Sequence, residues 1–336
     1  MKIAIDLMGG DNAPISNIKG SIDFLDEIND KSIHIYFVGD KPKILSHRTL
    51  FTKFKKQISI IHSSDVIKSD ERSAKFHKTR PDSSLVKSIN LIKNDKADAV
   101  ISAGNTGALL TTSLFLIGKI PGISRPALAP YVPTQKNGFL LCDAGANVNI
   151  KPKHLLEFSV MCQIYLEQIL NISNPKVGLL NIGSEPLKGN DLTIEAFSLL
   201  NDNINNFYGN IEPRYIFDGY VDVVVCDGFT GNLILKTIEG LIKNTFERLS
   251  SNIKANFLSK LASPLMKPAF NNLKSSLDYE EYGGTSILGV NGIVYKAHGS
   301  SSSKGIKNTY HSVYNSHRND VLKRIKDRMK KIDNNE

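Results

Sequence analysis

Residues 97–118, ADAVISAGNTGALLTTSLFLIG, decide the fold of this chain of 336 residues. Residues 97–102 are short and mostly apolar, which is typical of a strand covered on both faces of a parallel sheet. Residues 108–117 are apolar and long enough for a buried helix. The tight turn predicted between them consists of Gly104, Asn105, Thr106 and Gly107. Such a turn leaves free backbone N–H groups at the N-terminus of a helix, and these groups favour an anion.

The same pattern occurs a second time in the chain. Asp-x-Val-x-x-x-Gly-x-Thr-Gly-x-Leu spans residues 98–109 and again residues 222–233. We therefore expect a second strand, turn and helix of the same construction, with a second turn that favours an anion. A simpler interpretation is that each turn only joins a strand to a helix, with Thr106 capping the first helix.

Strands and helices alternate along the chain, which predicts an α/β fold with a mostly parallel sheet. The predicted strands are residues 2–6, 34–38, 57–61, 138–142, 176–182 and 221–226. The predicted helices include residues 14–28, 83–94 and 152–170. An Asn-Gly pair at residues 291–292 predicts an antiparallel hairpin between residues 286–290 and 293–297, so the sheet is mixed. We expect a single α/β domain over residues 1–336, arranged in one or two lobes.

Residues 241–277 have a different pattern. Apolar residues are spaced by three or four, with lysines between them, which predicts an amphipathic, basic helical hairpin that protrudes from the domain. Pro264 and Pro268 are expected to interrupt it. The hairpin is interpreted either as a dimer interface or packed helix pair, or as a surface that touches anionic lipid. Residues 63–81 have weak periodicity and are expected to form a loop or flap.

The composition argues against several classes of protein. The net charge of +9 fits either the chain's Lys-rich composition or attraction to an acidic macromolecule, an anionic membrane or phosphate. No nucleic-acid-binding module is recognisable. Cys142, Cys162 and Cys226 are odd in number and far apart, so we expect no disulfide and no metal site, as in a reducing cytoplasm. The longest uncharged apolar run, residues 107–118, is too short to span a bilayer.

Motifs of several common enzyme classes are absent from the sequence. There is no G-x-G-x-x-G dinucleotide fingerprint, no P-loop, no G-x-S-x-G and no H-E-x-x-H. Instead, polar loops follow predicted strands at residues 143–147, 181–183, 188–190 and 296–300. Because ligands gather beyond the carboxyl ends of parallel strands, we expect these loops and the turn at residues 104–107 to form one composite oxyanion site.

Short motifs are distributed over nearly the whole chain. They are MGGD (8–11), SAGNTGAL (102–109), DAGAN (143–147), GLLNIG (178–183), KGN (188–190), VDVVVCDGFTGN (221–232), EYGG (281–284) and KAHGSS (296–301). With these motifs in this order, the chain resembles the bacterial phosphate acyltransferase (PlsX) family. The resemblance implies transfer of a fatty acyl group from acyl carrier protein to inorganic phosphate, giving acyl-phosphate for phospholipid synthesis. It also implies a homodimer with a three-layer α/β/α fold like that of isopropylmalate dehydrogenase and phosphotransacetylase.

One position departs from the family. Asn12 stands where the family usually has His, and we expect a structural role there.

The implied reaction needs phosphate to be oriented, the carbonyl oxyanion to be stabilised and a thiolate to leave. No cofactor is expected, because a thiol with a pKa of about 8.5 leaves readily. Asn147 and Asn232 would polarise the carbonyl, and His298 would neutralise charge or transfer a proton. The candidate catalytic residues are Lys188, His298, Asn232 and Asn147. The candidate phosphate-binding residues are Gly104, Asn105, Thr106, Gly107, Asn181, Gly183 and Lys296.

Acyl carrier protein is acidic, so we expect the positive charge of residues 241–277 or of residues 68–80 to attract it. The surface expected to take the acyl chain, the carrier or a membrane consists of Lys254, Phe257, Lys260, Leu261 and Leu265. A membrane acyltransferase that acts downstream is a further expected partner of this cytoplasmic protein at the inner face of the membrane. Two alternatives stay open: a phosphotransacetylase-like enzyme that uses acyl-CoA, and a non-catalytic scaffold recruited to a membrane.

Overall fold

The computed structural model describes residues 1–255, 257–277 and 279–333. The strands are β1 (Lys2–Asp6), β2 (His34–Gly39), β3 (Ile58–His62), β4 (Ala99–Ser102), β5 (Ala127–Ala129), β6 (Tyr131–Val132), β7 (Phe139–Cys142), β8 (Val177–Leu180), β9 (Phe207–Ile211), β10 (Val223–Val225), β11 (Thr285–Leu288) and β12 (Ile293–Lys296). The helices are α1 (Ile15–Ile28), α2 (Lys41–Ser46), α3 (Arg48–Phe51), α4 (Phe76–Thr79), α5 (Ser84–Lys93), α6 (Thr106–Ile117), α7 (Pro152–Ile169), α8 (Asp191–Asn203), α9 (Gly228–Ala255), α10 (Phe257–Ser276), α11 (Ser303–Arg318) and α12 (Val321–Asp333). Short 3-10 turns occupy Thr52–Phe54, Pro213–Tyr215 and Tyr279–Tyr282.

The strands form two sheets. A seven-stranded sheet has the order β3-β2-β1-β4-β12-β11-β5, and a five-stranded sheet has the order β6-β7-β10-β8-β9. In the first sheet β11 runs in the direction opposite to the other six strands, and in the second sheet β6 runs opposite to the other four. The chain passes from the edge of one sheet to the edge of the other at Pro130, between β5 and β6. The predicted α/β class with mostly parallel strands is confirmed.

The first sheet is covered on one side by helices from the two ends of the chain. Phe24 of α1 stacks on Tyr310 of α11, with ring centroids 5.0 Å apart, and both rings are buried. A Cβ at Gly20 would lie only 2.6 Å from Cβ of Ile306, so a glycine is needed for the two helices to approach this closely. This packing holds the loop before α11 beside the loop before α1.

The region predicted as a hairpin differs from expectation in two respects. Its first helix, α9, begins at Gly228 and is 28 residues long. The expectation that Pro264 and Pro268 interrupt the hairpin was wrong, because α10 continues through both. A proline inside a helix frees a backbone carbonyl, and here Lys260, Pro264 and Pro268 are exposed, so water can hydrate the freed groups.

Two further features of the chain were not predicted. The strands β5 and β6 are only three and two residues long and β9 has no clear apolar pattern, and the basic C-terminal region forms two helices, α11 and α12. The division occurs at Asp320, which has φ of +54°. Among the described residues, every helix is too short or too polar to cross a membrane.

Candidate active site

Three neighbouring parallel strands of the first sheet bring their carboxyl ends to one edge. Asp6 of β1 and Lys296 of β12 are both register partners of Ser102 in β4. The loops that follow these strands are therefore adjacent. Gly10 illustrates the contact, since a Cβ there would lie 3.0 Å from Cβ of Ala103 and 3.1 Å from the carbonyl oxygen of Gly299.

The loop after β1 and the turn after β4 touch through their backbones. A Cβ at Gly9 would lie 2.5 Å from the backbone nitrogen of Gly104, so only glycine fits there. The buried carboxylate of Asp6 accepts a hydrogen bond from Ser102 Oγ (2.7 Å), and that Oγ accepts one from the N–H of Gly104 (3.0 Å). Burial raises the pKa of Asp6, and hydrogen bonds from Ser84, Ser102 and the backbone of Met8 and Gly9 act in the opposite direction.

Two asparagines hold the loop after β1. Buried Asn17 of α1 donates from Nδ2 to the carbonyl oxygens of Leu7 and Gly9, both at 3.0 Å. Asn12 donates to the carbonyl oxygen of Ser300 (3.1 Å), which joins this loop to the one before α11. Asn17 was not predicted, although a polar residue on the apolar face of an amphipathic helix is a recognisable signal. The contact of Asn12 agrees with a structural role.

Asn105 caps α6 and also holds the flap. Its Oδ1 accepts the N–H of Ala108 (2.9 Å), and its Nδ2 donates to the carbonyl oxygens of Lys68 (3.0 Å) and Glu71 (2.8 Å). The alternative in which Thr106 caps this helix was therefore wrong. Because the Asn105 side chain is engaged within the chain and also takes the N–H of Ala108, the backbone N–H groups of Thr106 and Gly107 are the donors that remain for an anion.

The flap of residues 63–81 is more ordered than a simple loop. It contains α4, and Arg80 donates to Asp65 (2.5 Å) and to Glu71 (2.6 Å). The hydrogen bond from Arg80 lowers the pKa of Asp65, with burial opposing it. These ion pairs give the segment a defined shape next to the turn at residues 104–107.

Lys296 lies beside that turn with its ammonium group partly desolvated. Its Nζ donates to the carbonyl oxygens of Ala103 (3.2 Å) and Ala297. Burial lowers the pKa of Lys296 to about 8, while the carboxylates of Asp6 and Asp11 partly counteract burial. The group is therefore still a cation at neutral pH, at the position where two loops of the site meet.

We assign the tautomer of His298 from its contacts with Ser300, whose Oγ lies 2.8 Å from Nδ1. The N–H of Ser300 donates to Nδ1 of His298 (3.3 Å), so the proton of the neutral ring is assigned to Nε2. Desolvation is the main cause that lowers the pKa of His298. The neutral ring can therefore donate a hydrogen bond from Nε2.

Asn147 lies in the loop after β7 of the second sheet, and hydrogen bonds fix its side chain. Buried Asn147 donates from Nδ2 to the carbonyl oxygen of Pro126 (2.7 Å) and to the carboxylate of Asp143 (2.9 Å). Exposed Asn232 lies next to this loop, with its Cβ 3.4 Å from a Cβ built at Gly145. Of the two asparagines, Asn232 has the more accessible amide.

The two copies of the repeated sequence pattern fold differently. In the second copy, α9 begins already at Gly228, and the carboxylate of Asp227 accepts the N–H (2.9 Å) and the hydroxyl (2.6 Å) of Thr230. A carboxylate thus occupies the helix N-terminus where an anion was expected. Asp227 stands where the first copy has Ala103, and its negative charge makes the second turn less suited to an anion than the first.

Lys188, Asn181 and Gly183 form a cluster in the loop after β8. Asn181 donates from Nδ2 to the carbonyl oxygen of Lys188 (2.9 Å), and a Cβ at Gly183 would lie 3.1 Å from Cγ of Lys188. The exposed ammonium of Lys188 is 4.0 Å from Glu185. The contacts of these three residues lie within the second sheet's loops, so they form a group separate from the loops around Lys296.

Helix α9 connects the two groups of loops. Its first turn lies beside Asp143 of the second sheet, since a Cβ at Gly228 would lie 2.7 Å from that carboxylate. Two to three turns further on, Lys236 and Glu239 are close enough for their charges to act on Lys296 and His298, although burial is the larger cause of the lowered pKa of both groups. The helix therefore extends from the second sheet to the cationic residues of the first.

The hairpin surface is exposed where it is described. Lys254 and Lys260 are exposed, and Leu265 is 85 % exposed. The side chains of Phe257 and Leu261 lie outside the part of the chain that is described. Across residues 1–255, 257–277 and 279–333, no three His, Cys, Asp or Glu side chains are grouped to hold a metal ion.

Known proteins resemble this chain over nearly its full length. The sequence model of a family described as "Fatty acid synthesis protein" matches residues 1–324. A protein of Clostridium tetani named "Phosphate acyltransferase" is 44 % identical over 333 residues, covering 99 % of each chain. The chain belongs to the phosphate acyltransferase family. The expected family and the expected enzyme class, an acyltransferase, are thereby confirmed.

The fold of this phosphate acyltransferase family member is also similar to the folds of solved structures. A phosphotransacetylase of Staphylococcus aureus aligns with a TM-score of 0.58, at 13 % identity and over 95 % of this chain and 94 % of that one. A phosphotransacetylase of Streptococcus pyogenes aligns with a TM-score of 0.57 at 16 % identity, over 94 % and 93 %. The predicted phosphotransacetylase-like α/β/α architecture is confirmed.

Proposed function

We propose that this phosphate acyltransferase family member transfers a fatty acyl group from acyl carrier protein to inorganic phosphate, and that the acyl-phosphate is used for phospholipid synthesis. The observation that carries the proposal is the ammonium of Lys296 beside the helix turn at residues 104–107. A cation next to free backbone N–H groups at a helix N-terminus suits a phosphate anion. The names of the relatives support both the phosphate acceptor and an acyl donor.

In the proposed reaction, Lys296, Thr106 and Gly107 hold the phosphate. A phosphate oxygen attacks the thioester carbonyl, a C–O bond forms, the C–S bond breaks, and the sulfur leaves with the electron pair as a thiolate. Orientation of the two reactants supplies much of the rate, so no covalent enzyme intermediate is needed. A thiol with a pKa of about 8.5 needs no strong general acid to leave.

The negative charge that develops on the carbonyl oxygen requires donors. We assign this role to the amide of Asn232 and to Nε2–H of His298. Asn147, whose side chain is engaged with Asp143, would position the loop that faces Asn232. Lys188 stays a candidate catalytic residue, with Asn181 and Gly183 shaping its loop.

The acidic carrier needs a basic docking surface. The exposed lysines Lys254 and Lys260 on the hairpin of α9 and α10 suit this role, and the exposed side chain of Leu265 suits contact with a membrane. We further propose that the protein is a cytoplasmic homodimer at the inner face of the membrane, where a downstream acyltransferase consumes its product.

The test is a direct assay for acyl-phosphate. The protein is mixed with a fatty acyl thioester of acyl carrier protein and with phosphate, and acyl-phosphate is trapped with hydroxylamine. We expect hydroxamate whose amount depends on phosphate; its absence would leave a non-catalytic scaffold as the better explanation. Competition between acyl-CoA and the acyl carrier thioester identifies the donor. A preference for acyl-CoA would contradict the proposal that acyl carrier protein is the donor.

A further inference from the structure

A cavity lies at the carboxyl edge of the second sheet, between the ends of β8 and β10 and the first turns of α8 and α9. Its volume is about 420 Å³. Aliphatic side chains make much of its wall, among them Leu155, Leu179, Leu192 and Ile234. Such a cavity is in the size range of sites for small molecules.

The polar residues in the wall bond to one another or to neighbouring backbone. Asn190 Oδ1 accepts the N–H of Thr193 (3.0 Å), and Thr193 Oγ1 donates to the carbonyl oxygen of Asn190 (2.9 Å). Asn181 is bonded within its own loop, and Asp227 is bonded to Thr230. With these groups engaged, the cavity favours an apolar ligand over a polar one.

The rim carries further apolar surface. Ile182 and Leu187, in the loop between β8 and α8, are 78 % and 81 % exposed. Isolated exposed aliphatic residues are common, but two in one loop, with Ile182 itself in the cavity wall, extend the apolar surface outward.

We propose that this cavity binds the hydrocarbon chain of the acyl donor. The proposal rests on the proposed acyl transfer and adds the place where the chain is bound. The volume of the cavity would also limit the length of the acyl chain that it can hold.

The cavity is within reach of the cationic residues through α9. Thr230 and Ile234 line the cavity, and Lys236, whose charge acts on Lys296, follows on the same helix. Six helical residues rise about 9 Å, from Thr230 to Lys236. Asn232 lies between Thr230 and Ile234 in sequence but on the opposite face of α9, because residues two apart in a helix do not face each other. A long acyl group bound in the cavity would therefore pass around the N-terminal turn of α9 to bring its thioester carbonyl near Asn232.

The test is a series of acyl carrier thioesters from butyryl to stearoyl, assayed with phosphate by the hydroxylamine trap. For the wild type we expect kcat/KM to rise by up to about fourfold for each buried methylene until the cavity is filled. Leu192→Trp reduces the volume, so its values should stop rising at a shorter chain, with butyryl transfer unchanged. Leu192→Ala enlarges the cavity and should extend the rise to longer chains.

Leu199→Trp is the matched control. Leu199 is also a half-buried leucine of α8 that packs on the same core, but it is not part of the cavity wall. This variant should keep the wild-type dependence on chain length. An unchanged profile in Leu192→Trp, or an equal loss for all chain lengths, would overturn the assignment of the cavity. Absence of hydroxamate from every donor with the wild type would instead overturn the proposed function.

Discussion

Replacing Lys296 with methionine should weaken phosphate binding and leave the free energy of unfolding almost unchanged. A hydrogen bond between charged groups contributes about 1.5–3 kcal/mol, so we expect KM for phosphate to rise roughly 10- to 150-fold. The pKa of Lys296 falls from 10.5 to about 8, so burial disfavours the ammonium by roughly 3 kcal/mol. Methionine removes this cost but leaves the carbonyl oxygens of Ala103 and Ala297 without their donor, at about 1–3 kcal/mol. The two effects largely cancel.

The pH dependence adds an independent readout. As pH rises through about 8, Lys296 loses its proton, so kcat/KM for phosphate should fall on the alkaline side. Lys296→Arg keeps a cation at all these pH values, and its profile should lack this fall. Between pH 8 and 10.5 the unfolded chain binds more protons than the folded chain, so this residue's contribution to stability rises with pH in that window. Lys296→Met should lack that rise.

Steady-state kinetics with varied phosphate and urea unfolding curves measure these effects. Phosphate titrates identically in all assays and the thioester group does not titrate, so differences between the wild type and Lys296→Arg report on the side chain alone. A KM for phosphate in Lys296→Met within twofold of the wild type would refute phosphate contact. A fall near pH 8 that persists in Lys296→Arg would assign the titration to another group.

Three further predictions concern the loops and the hairpin. Asn105→Ser keeps a good helix cap but loses the donor to the flap, so backbone amides of residues 68–71 should exchange faster with deuterium, while KM for phosphate should change only a few-fold. A rise in this KM as large as that of Lys296→Met would indicate that Asn105 contacts phosphate directly. Gly9→Ala pushes the backbone of residue 9 away from that of Gly104 and should lower the free energy of unfolding by about 1–3 kcal/mol. A Cβ at Gly107 would have Asn105 Oδ1 as its nearest atom, at 3.5 Å, so Gly107→Ala should be neutral or slightly stabilising in chemical denaturation. Reversing both Lys254 and Lys260 to Glu should raise KM for the acyl carrier thioester without changing the melting temperature, and an unchanged KM would place carrier docking elsewhere.

Local sequence patterns sufficed for much of the fold. The first strand was predicted at residues 2–6 and is observed as Lys2–Asp6, and the helix predicted from residue 152 begins at Pro152. Apolar runs, prolines and glycines act on their immediate neighbours, so their effect can be read from one segment at a time. The parallel order of strands then followed from their alternation with helices, and the ordered motifs indicated the family.

What the sequence alone determined was therefore the class of fold, the family and the set of polar loops at strand ends. Only the tertiary structure decided which side chains in those loops are engaged. Asn105 bonds to the carbonyl oxygen of Lys68, 37 residues away, and a local pattern contains no information about such a partner. The two copies of one motif diverge for a related reason. A charged carboxylate, Asp227, accepts the N–H of Thr230 at the second helix N-terminus, whereas the uncharged amide of Asn105 caps the first. Hydrogen-bond partners distant in sequence are chosen by packing, and packing exists only in the folded chain.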